Sequence, residues 1–334
     1  MINGHGDDTH DFPGKIRSNF SSNMYPGIDQ ARLHRHLCSR ISTIQAYPEP
    51  DAVSLRRKLA EQNRLTPEHF CVTNGATEAI YLIAQAYRNT VSLIVTPTFS
   101  EYEDACRIHR HRMLFTSDFQ EVRTGLNSVW LCDPNNPTGR AQDKRKLTGW
   151  IETHPDTLFV IDQSYAAFTE MPSLEIREAV RYKNVLLIRS MTKQYAIPGL
   201  RLGYIAAHPQ RIAEIAAGQM PWAVNAISVE AGLFLLDQPE PLWKLTDYLT
   251  ETRRLQEALK RIEGMEALPS DTPFFLCRLA EKKASDLKRY LIEKHGILIR
   301  DAANFRGLDE HYFRICTQTP EENDKLVKAI ETWI

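Results

Sequence analysis

The sequence lacks a cysteine pair of the C-x-x-C type, an internal repeat and a low-complexity stretch. It also lacks any apolar run approaching the roughly 20 residues that cross a bilayer. Each absence removes a class of function. The six cysteines (38, 71, 106, 132, 277 and 316) are scattered, several inside apolar runs such as Val129-Trp130-Leu131-Cys132. That spacing argues against a redox motif or a zinc ribbon, and predicts buried, reduced thiols in a cytoplasmic protein. Charge of one sign is missing too. Lys and Arg number 41 against 42 Asp and Glu, a net charge of -1, so neither a nucleic-acid partner nor an acidic tail is expected. The opening residues, Met1 to Asp8, are polar and acidic, unlike a secretory leader, and no membrane association is expected. Two histidine pairs, His34/His36 and His109/His111, sit in Arg-rich helical stretches. A spacing of two separates side chains around a helix, so solvated surface is expected there rather than a metal site.

What is present is length and alternation. A chain of 334 residues can bury a large core and form two domains. Short apolar runs at 69–73, 92–96, 128–132, 158–161, 185–189 and 203–207 read as strands. Helical patterns at 77–88, 102–111 and 144–153 lie between them; the first places Ile80, Ile83, Ala84 and Tyr87 on one face. This predicts an α/β fold: an open, mostly parallel central sheet flanked by helices. After Pro239 and Pro241 the texture changes. A helix over 242–262, strands at 274–279, 297–300 and 312–316, a helix ending at His295-Gly296 and a last helix at 321–333 predict a smaller α/β domain. The expected division is an N-terminal arm (1–30) packing with the small domain, a large domain (31–235) and a small domain (236–334).

Ligands in open α/β sheets bind outside the carboxyl ends of the strands. Five predicted strand ends carry residues that a core does not need. The first leads into Asn74-Gly75-Ala76-Thr77, a helix start whose free N–H groups suit a phosphate, or an ordinary capped helix. Phe99 follows the second; it is either a stacking ring or a core side chain. Asn135-Asn136-Pro137-Thr138-Gly139 follows the third as a dense turn. Asp162 ends the fourth, with Tyr165 three residues on. A carboxylate there is a structural cap or salt bridge, or the counter-ion of a protonated ring nitrogen. Ser190 and Lys193 follow the fifth, with Arg201 beyond. An amine for an aldehyde, an acid for a pyridine nitrogen and a helix start for a phosphate together are what pyridoxal 5'-phosphate requires.

The motifs N-N-P-T-G at 135–139, Asp162 with Tyr165, and S-M-T-K…G-L-R-L-G-Y at 190–204 resemble the fold-type I pyridoxal-phosphate aminotransferase family along essentially the whole chain. The resemblance implies Lys193 as the Schiff-base lysine, Asp162 on the pyridine nitrogen, and Asn136 and Tyr165 on the ring's phenolic oxygen. It implies that Phe99 stacks on the ring, and that Gly75, Ala76, Thr77, Ser190 and Arg201 hold the phosphate. Tyr47 matches the tyrosine offered to a neighbouring subunit's phosphate, which implies a homodimer with shared active sites. Arg314 matches the arginine for the substrate carboxylate. Two branches of the family are most similar: the histidinol-phosphate aminotransferases and the threonine-phosphate decarboxylases of cobalamin synthesis. The stretches 195–199, 219–226 and 299–308 resemble the decarboxylase branch, which implies His5, Asn23 and Arg300 around a substrate phosphate. The expected substrate is a small phosphorylated amino acid or amine. The chain departs from the pattern in two places. Asp162-Gln163-Ser164 replaces Asp-Glu-Ala, and His5-Gly6-Asp7 replaces His-Gly-Gly. An acid at position 7 would repel a phosphate unless it points away.

Overall fold

The computed structural model describes residues 6–118, 125–238 and 244–334. His5 lies outside the described residues. The larger sheet has seven strands: β1 (Phe70–Thr73), β2 (Val91–Val95), β3 (Arg112–Thr116), β4 (Ser128–Cys132), β5 (Leu158–Asp162), β6 (Val185–Ser190) and β7 (Gly203–Ala207). Their order is β1-β7-β6-β5-β4-β2-β3. Pairing is parallel from β3 through β6, while β7 runs antiparallel to both β6 and β1. Two reversals restore direction, so β1 points the same way as β4, β5 and β6. Its end therefore opens on the same rim as theirs. The start of β7 faces that rim as well, which brings Arg201 beside Ser190.

Alternation along the strands explains the layers. Val129 and Leu131 of β4 pack with Phe159 and Ile161 of β5, against the helices Val53–Asn63 and Ala226–Leu236. Trp130 and Val160, one step out of phase, pack on the other side against the helices Gly75–Ala86 and Glu101–Ile108. A sheet covered on both faces is buried on both, which is why its strands read as continuous apolar runs.

A second sheet holds four antiparallel strands: β8 (Met265–Ala267), β9 (Phe274–Leu279), β10 (Arg300–Asp301) and β11 (Tyr312–Cys316), in the order β10-β11-β9-β8. The helices Leu245–Lys260 and Pro320–Trp333 enclose its core with Leu255, Leu259, Leu326 and Ile330. Phe20 joins that core, and Ser18–Asn19 pairs in parallel with Ile297–Leu298. The segment before residue 30 thus packs on the small sheet. No described helix is long and apolar enough to cross a membrane.

Three local readings change. The helix expected over 77–88 begins at Gly75, whose φ of +81° lets the chain turn from β1 straight into a helix. Strand β3 was not expected; at the sheet edge its alternation runs between exposed Arg112 and Leu114 and half-buried Met113 and Phe115. His111 is not on a helix and not solvated. It is buried, with Nδ1 2.7 Å from Ser92 Oγ and Nε2 2.9 Å from the Ala84 carbonyl. Of the cysteines, Cys38 is exposed and the other five are buried.

Candidate active site

A cavity of about 360 Å³ lies on the rim between the two sheets. Its wall includes Ala76, Thr77, Phe99, Asn136, Asp162, Tyr165, Ser190, Lys193, Arg201 and Arg314. Residues from every predicted strand end therefore converge. The topology does this, because parallel strands deliver their carboxyl ends to one edge.

Asp162 ends β5 and is buried. Its Oδ2 accepts a 2.8 Å hydrogen bond from the Tyr102 hydroxyl, and its Oδ1 accepts one of 2.8 Å from the Ser164 backbone N–H. Burial pushes the carboxyl up from the ordinary range, while Ser164, Tyr102 and Lys193 pull the other way. Such a group is tuned to share a proton with a basic nitrogen placed against it. Tyr102 was not singled out in the sequence, since a buried tyrosine on an amphipathic helix reads as core. Its hydroxyl lies against the only acid at the end of β5.

Lys193 sits in the short helix Met191–Gln194, directly after β6. Burial, then the nearby Arg314 and Arg201, bring its amine down to about 8. A lysine so placed is partly neutral near pH 8 and available as a nucleophile.

A narrow cradle forms where three segments meet. Gly75 opens its helix beside Arg201, and a Cβ added at Gly75 would stand 2.6 Å from Arg201 Nη2. A Cβ at Gly203 would meet backbone atoms, with Ala76 N at 2.7 Å and the Gly75 carbonyl carbon at 2.8 Å. Glycine at both places lets the helix start, β7 and the guanidinium converge. Ser190 Oγ lies 2.7 Å from Thr192 Oγ1 on the neighbouring wall.

The opposite wall comes from the small sheet. Arg314 of β11 is buried. It donates to the Asn136 side-chain oxygen and, at 2.5 Å, to the Ser21 carbonyl. Its Nε is buried with no hydrogen-bond partner. The guanidinium lies 5.9 Å from the Phe274 ring, which packs at 4.7 Å against Tyr165. Burial raises the Tyr165 phenol, while Arg314 and Asn23 oppose that rise. Asn23 reaches the cavity from the N-terminal segment.

Arg300 stands opposite Arg314 in the β10–β11 register but is not among the residues that line the cavity. It donates to Asn304 Oδ1 at 2.7 Å, and burial followed by Arg314 brings it down to about 10. Gly6 fits against both, since a Cβ there would lie 3.3 Å from Arg300 Cδ and 3.4 Å from Arg314 Nη2. Asp7 does not point away. It lines the cavity, held by Asn19 Nδ2 at 2.6 Å on its Oδ1. Gln163 is buried and donates to the Leu174 carbonyl at 3.0 Å. Tyr47 is not in this cavity. It is 85% exposed and packs on Trp222, ring centroids 5.3 Å apart.

Residues 16–330 match the model of the family described as Aminotransferase class I and II. The chain belongs to this family. Its fold is that of the fold-type I enzymes. The chain is 30% identical to the threonine-phosphate decarboxylase of Salmonella typhimurium, over 93% of this chain and 89% of that one. It is also 30% identical to a histidinol-phosphate aminotransferase of Symbiobacterium thermophilum, over 87% and 83% respectively. Among solved structures, L-threonine-O-3-phosphate decarboxylase from Porphyromonas gingivalis superposes with a TM-score of 0.93 at 42% identity, covering 95% of this chain and 99% of that chain.

Pyridoxal phosphate is the cofactor of this family, and the residues present fit it. Gly75 leaves room for Arg201 where a methyl group would collide, a buried carboxyl faces the cavity, and a depressed lysine stands across from it.

Proposed function

We propose that the protein decarboxylates O-phospho-L-threonine to 1-aminopropan-2-yl phosphate, the reaction of the decarboxylase branch in cobalamin synthesis. The observation that carries this reading is the pair Arg300 and Arg314. The two arginines are paired across the β10–β11 register and both are buried, and Arg314 lowers the Arg300 guanidinium. Such a pair calls for a ligand with two anionic groups. O-Phosphothreonine has a carboxylate and a phosphate on adjacent carbons. Histidinol phosphate has one anionic group, and its amine carbon bears no carboxylate.

The bound cofactor supplies an electron sink for a bond broken at the substrate α-carbon. The chain's own residues do the rest. Lys193 would anchor the cofactor and is the amine that a substrate amine would displace. Asp162, held by Tyr102, would keep the ring nitrogen protonated. Gly75, Ala76, Thr77, Ser190 and Arg201 would hold the cofactor phosphate, Phe99 would pack on the ring, and Asn136 and Tyr165 would hold its phenolic oxygen. Arg314 binds the carboxylate as a planar fork, while Arg300, with Asn23 and the segment around His5, binds the substrate phosphate. Two clamps fix rotation about the bond from the amine nitrogen to the α-carbon. That rotation selects the bond to the carboxylate over the bond to hydrogen. Loss of carbon dioxide would leave its bonding pair in that sink, and Lys193, freed as an ammonium, would be placed to return a proton to the α-carbon.

The test is incubation of the loaded enzyme with O-phospho-L-threonine and no keto acid. Stoichiometric carbon dioxide and the amine phosphate are expected. Turnover only with histidinol phosphate plus 2-oxoglutarate would replace this reading with transamination.

The same reading assigns Tyr47 to the cofactor phosphate of a second copy. It lies beside exposed Ile41, Ile44, Met220 and Trp222, an apolar surface that a partner would cover. Light scattering is expected to give twice 38.3 kDa. A fully active species of single mass would remove the shared site.

A further inference from the structure

Beyond the Arg314–Asn136 hydrogen bond and the Phe274–Tyr165 contact in the cavity wall, the small sheet meets the large domain at two further points. The first is dense and mostly backbone: Asp271 N–H donates to the Gly139 carbonyl at 2.9 Å, and Ala141 N–H donates to Asp271 Oδ2 at 2.9 Å. The second is a single side chain. Arg306 follows β10 in the loop that returns to β11, and it reaches the helix Glu101–Ile108. Its Nε donates to Glu103 Oε2 at 2.9 Å and its Nη2 donates to Glu103 Oε1 at 2.8 Å. The guanidinium also covers the Phe115 ring at 4.0 Å. This fork holds the Glu103 carboxyl below its ordinary range.

The loop between these points carries the supports of Arg300. Asn304 accepts from Arg300 Nη2 at 2.7 Å, and the Phe305 ring lies 5.3 Å from the Arg300 guanidinium carbon. At the other end, Glu103 is the neighbour of Tyr102, which holds Asp162. One covalent step joins Arg306 to Phe305, while Glu103 sits on a helix already held by buried Tyr102, so the helix is the fixed end of the fork.

We propose that Arg306 is a positioning residue: its fork on Glu103, seated on Phe115, fixes the loop of Asn304 and Phe305 and thereby sets Arg300 for a phosphorylated substrate. This rests on the assignment of Arg300 to the substrate phosphate. A lysine at 306 would keep the charge but lose the two parallel hydrogen bonds. Opening the fork leaves the residues around Lys193 in place, so the effect falls on substrate capture and not on cofactor capture.

The experiment compares wild type, Arg306→Ala, Arg306→Lys and Glu103→Gln, each loaded with cofactor. Arg306→Ala is expected to raise KM for O-phospho-L-threonine roughly fivefold to tenfold, the combined size of a half-exposed ion pair and a cation–π contact. The expected change in kcat is less than about twofold, on the same grounds. Arg306→Lys falls between, and the double variant with Glu103→Gln loses no more than Arg306→Ala alone. Binding is read separately, from the change in the visible band on titration with O-phospho-L-threonine, histidinol phosphate and L-threonine. Weaker binding of the two phosphorylated ligands, with L-threonine and the cofactor unaffected, supports the positioning role. Unchanged binding of both phosphorylated ligands in Arg306→Ala, or equal loss for L-threonine, overturns it. Absence of carbon dioxide from wild type would count against the decarboxylase reading instead, and leaves the binding comparison intact.

Discussion

Replacing Lys193 with alanine is expected to abolish the visible band of the bound cofactor and to lower turnover on the order of 10⁴-fold. The amine is the only lysine on the cavity wall among the described residues. No other described lysine lines the cavity to take over its two proposed tasks, anchoring the cofactor and moving a proton at the α-carbon. The fold itself should survive. Lys193 is a buried cation whose neighbours Arg314 and Arg201 oppose its charge, so its removal relieves repulsion. The cofactor-free variant should melt at or above the wild-type temperature, which separates a chemical loss from a folding loss. Full activity in the variant would end the assignment. The same lysine sets a pH signature. Its amine is brought down to about 8, so its neutral fraction grows with pH and saturates above that value. Capture of the cofactor by cofactor-free enzyme, followed as growth of the visible band, should rise about tenfold per pH unit below 8 and level off above it. A rate still climbing through pH 10 would mean an unperturbed lysine.

Asp162→Asn is the second large effect, with turnover expected to drop on the order of 10²- to 10³-fold. Asparagine keeps the shape and can still accept a hydrogen bond from Tyr102 or Ser164. It cannot hold a proton on a ring nitrogen. Stability should move the other way from activity. Burial raises the carboxyl of Asp162 above its ordinary 3.8 in the cofactor-free fold. A raised carboxyl contributes stability through its protonated form, present below the unfolded value and lost as pH climbs past the folded one. At neutral pH the ionised group is thus a cost that asparagine does not carry. Calorimetry of the cofactor-free variant at pH 7 should show stability within about 1 kcal/mol of wild type or above it. A variant that retains turnover, or that unfolds, would contradict the role given to this acid.

The strand ends were legible because chemistry there has no structural excuse. An acid closing Leu158-Phe159-Val160-Ile161, or a lysine after Val185-Leu186-Leu187-Ile188, needs a reason, and the parallel sheet brings those reasons to one rim. Tyr102 was hidden because helical position and burial make a tyrosine look like packing until its hydroxyl is seen on Asp162. Strand β3 was hidden because its side chains up to Phe115 stay exposed or half-buried at the sheet edge and it starts at Arg112, directly after a helical pattern. His111 was read as surface from its Arg-rich surroundings, yet Ser92 and the Ala84 carbonyl satisfy both of its ring nitrogens in the interior. The Arg306–Glu103 fork joins residues about 200 apart, and no local pattern encodes such a pair.

The pairing of Ser18–Asn19 with Ile297–Leu298 also orders the birth of the molecule. The two partners are 279 residues apart (297 minus 18). At ~5–20 residues per second of synthesis, the early strand waits roughly 15–55 s for its mate. All seven strands of the large sheet leave the ribosome in that interval, and with them Lys193, Asp162 and Arg201. Arg300, Arg314 and the seated Ser21–Asn23 segment come last. The residues proposed to hold the cofactor are therefore all made before Arg300 and Arg314, the two arginines proposed to hold the substrate.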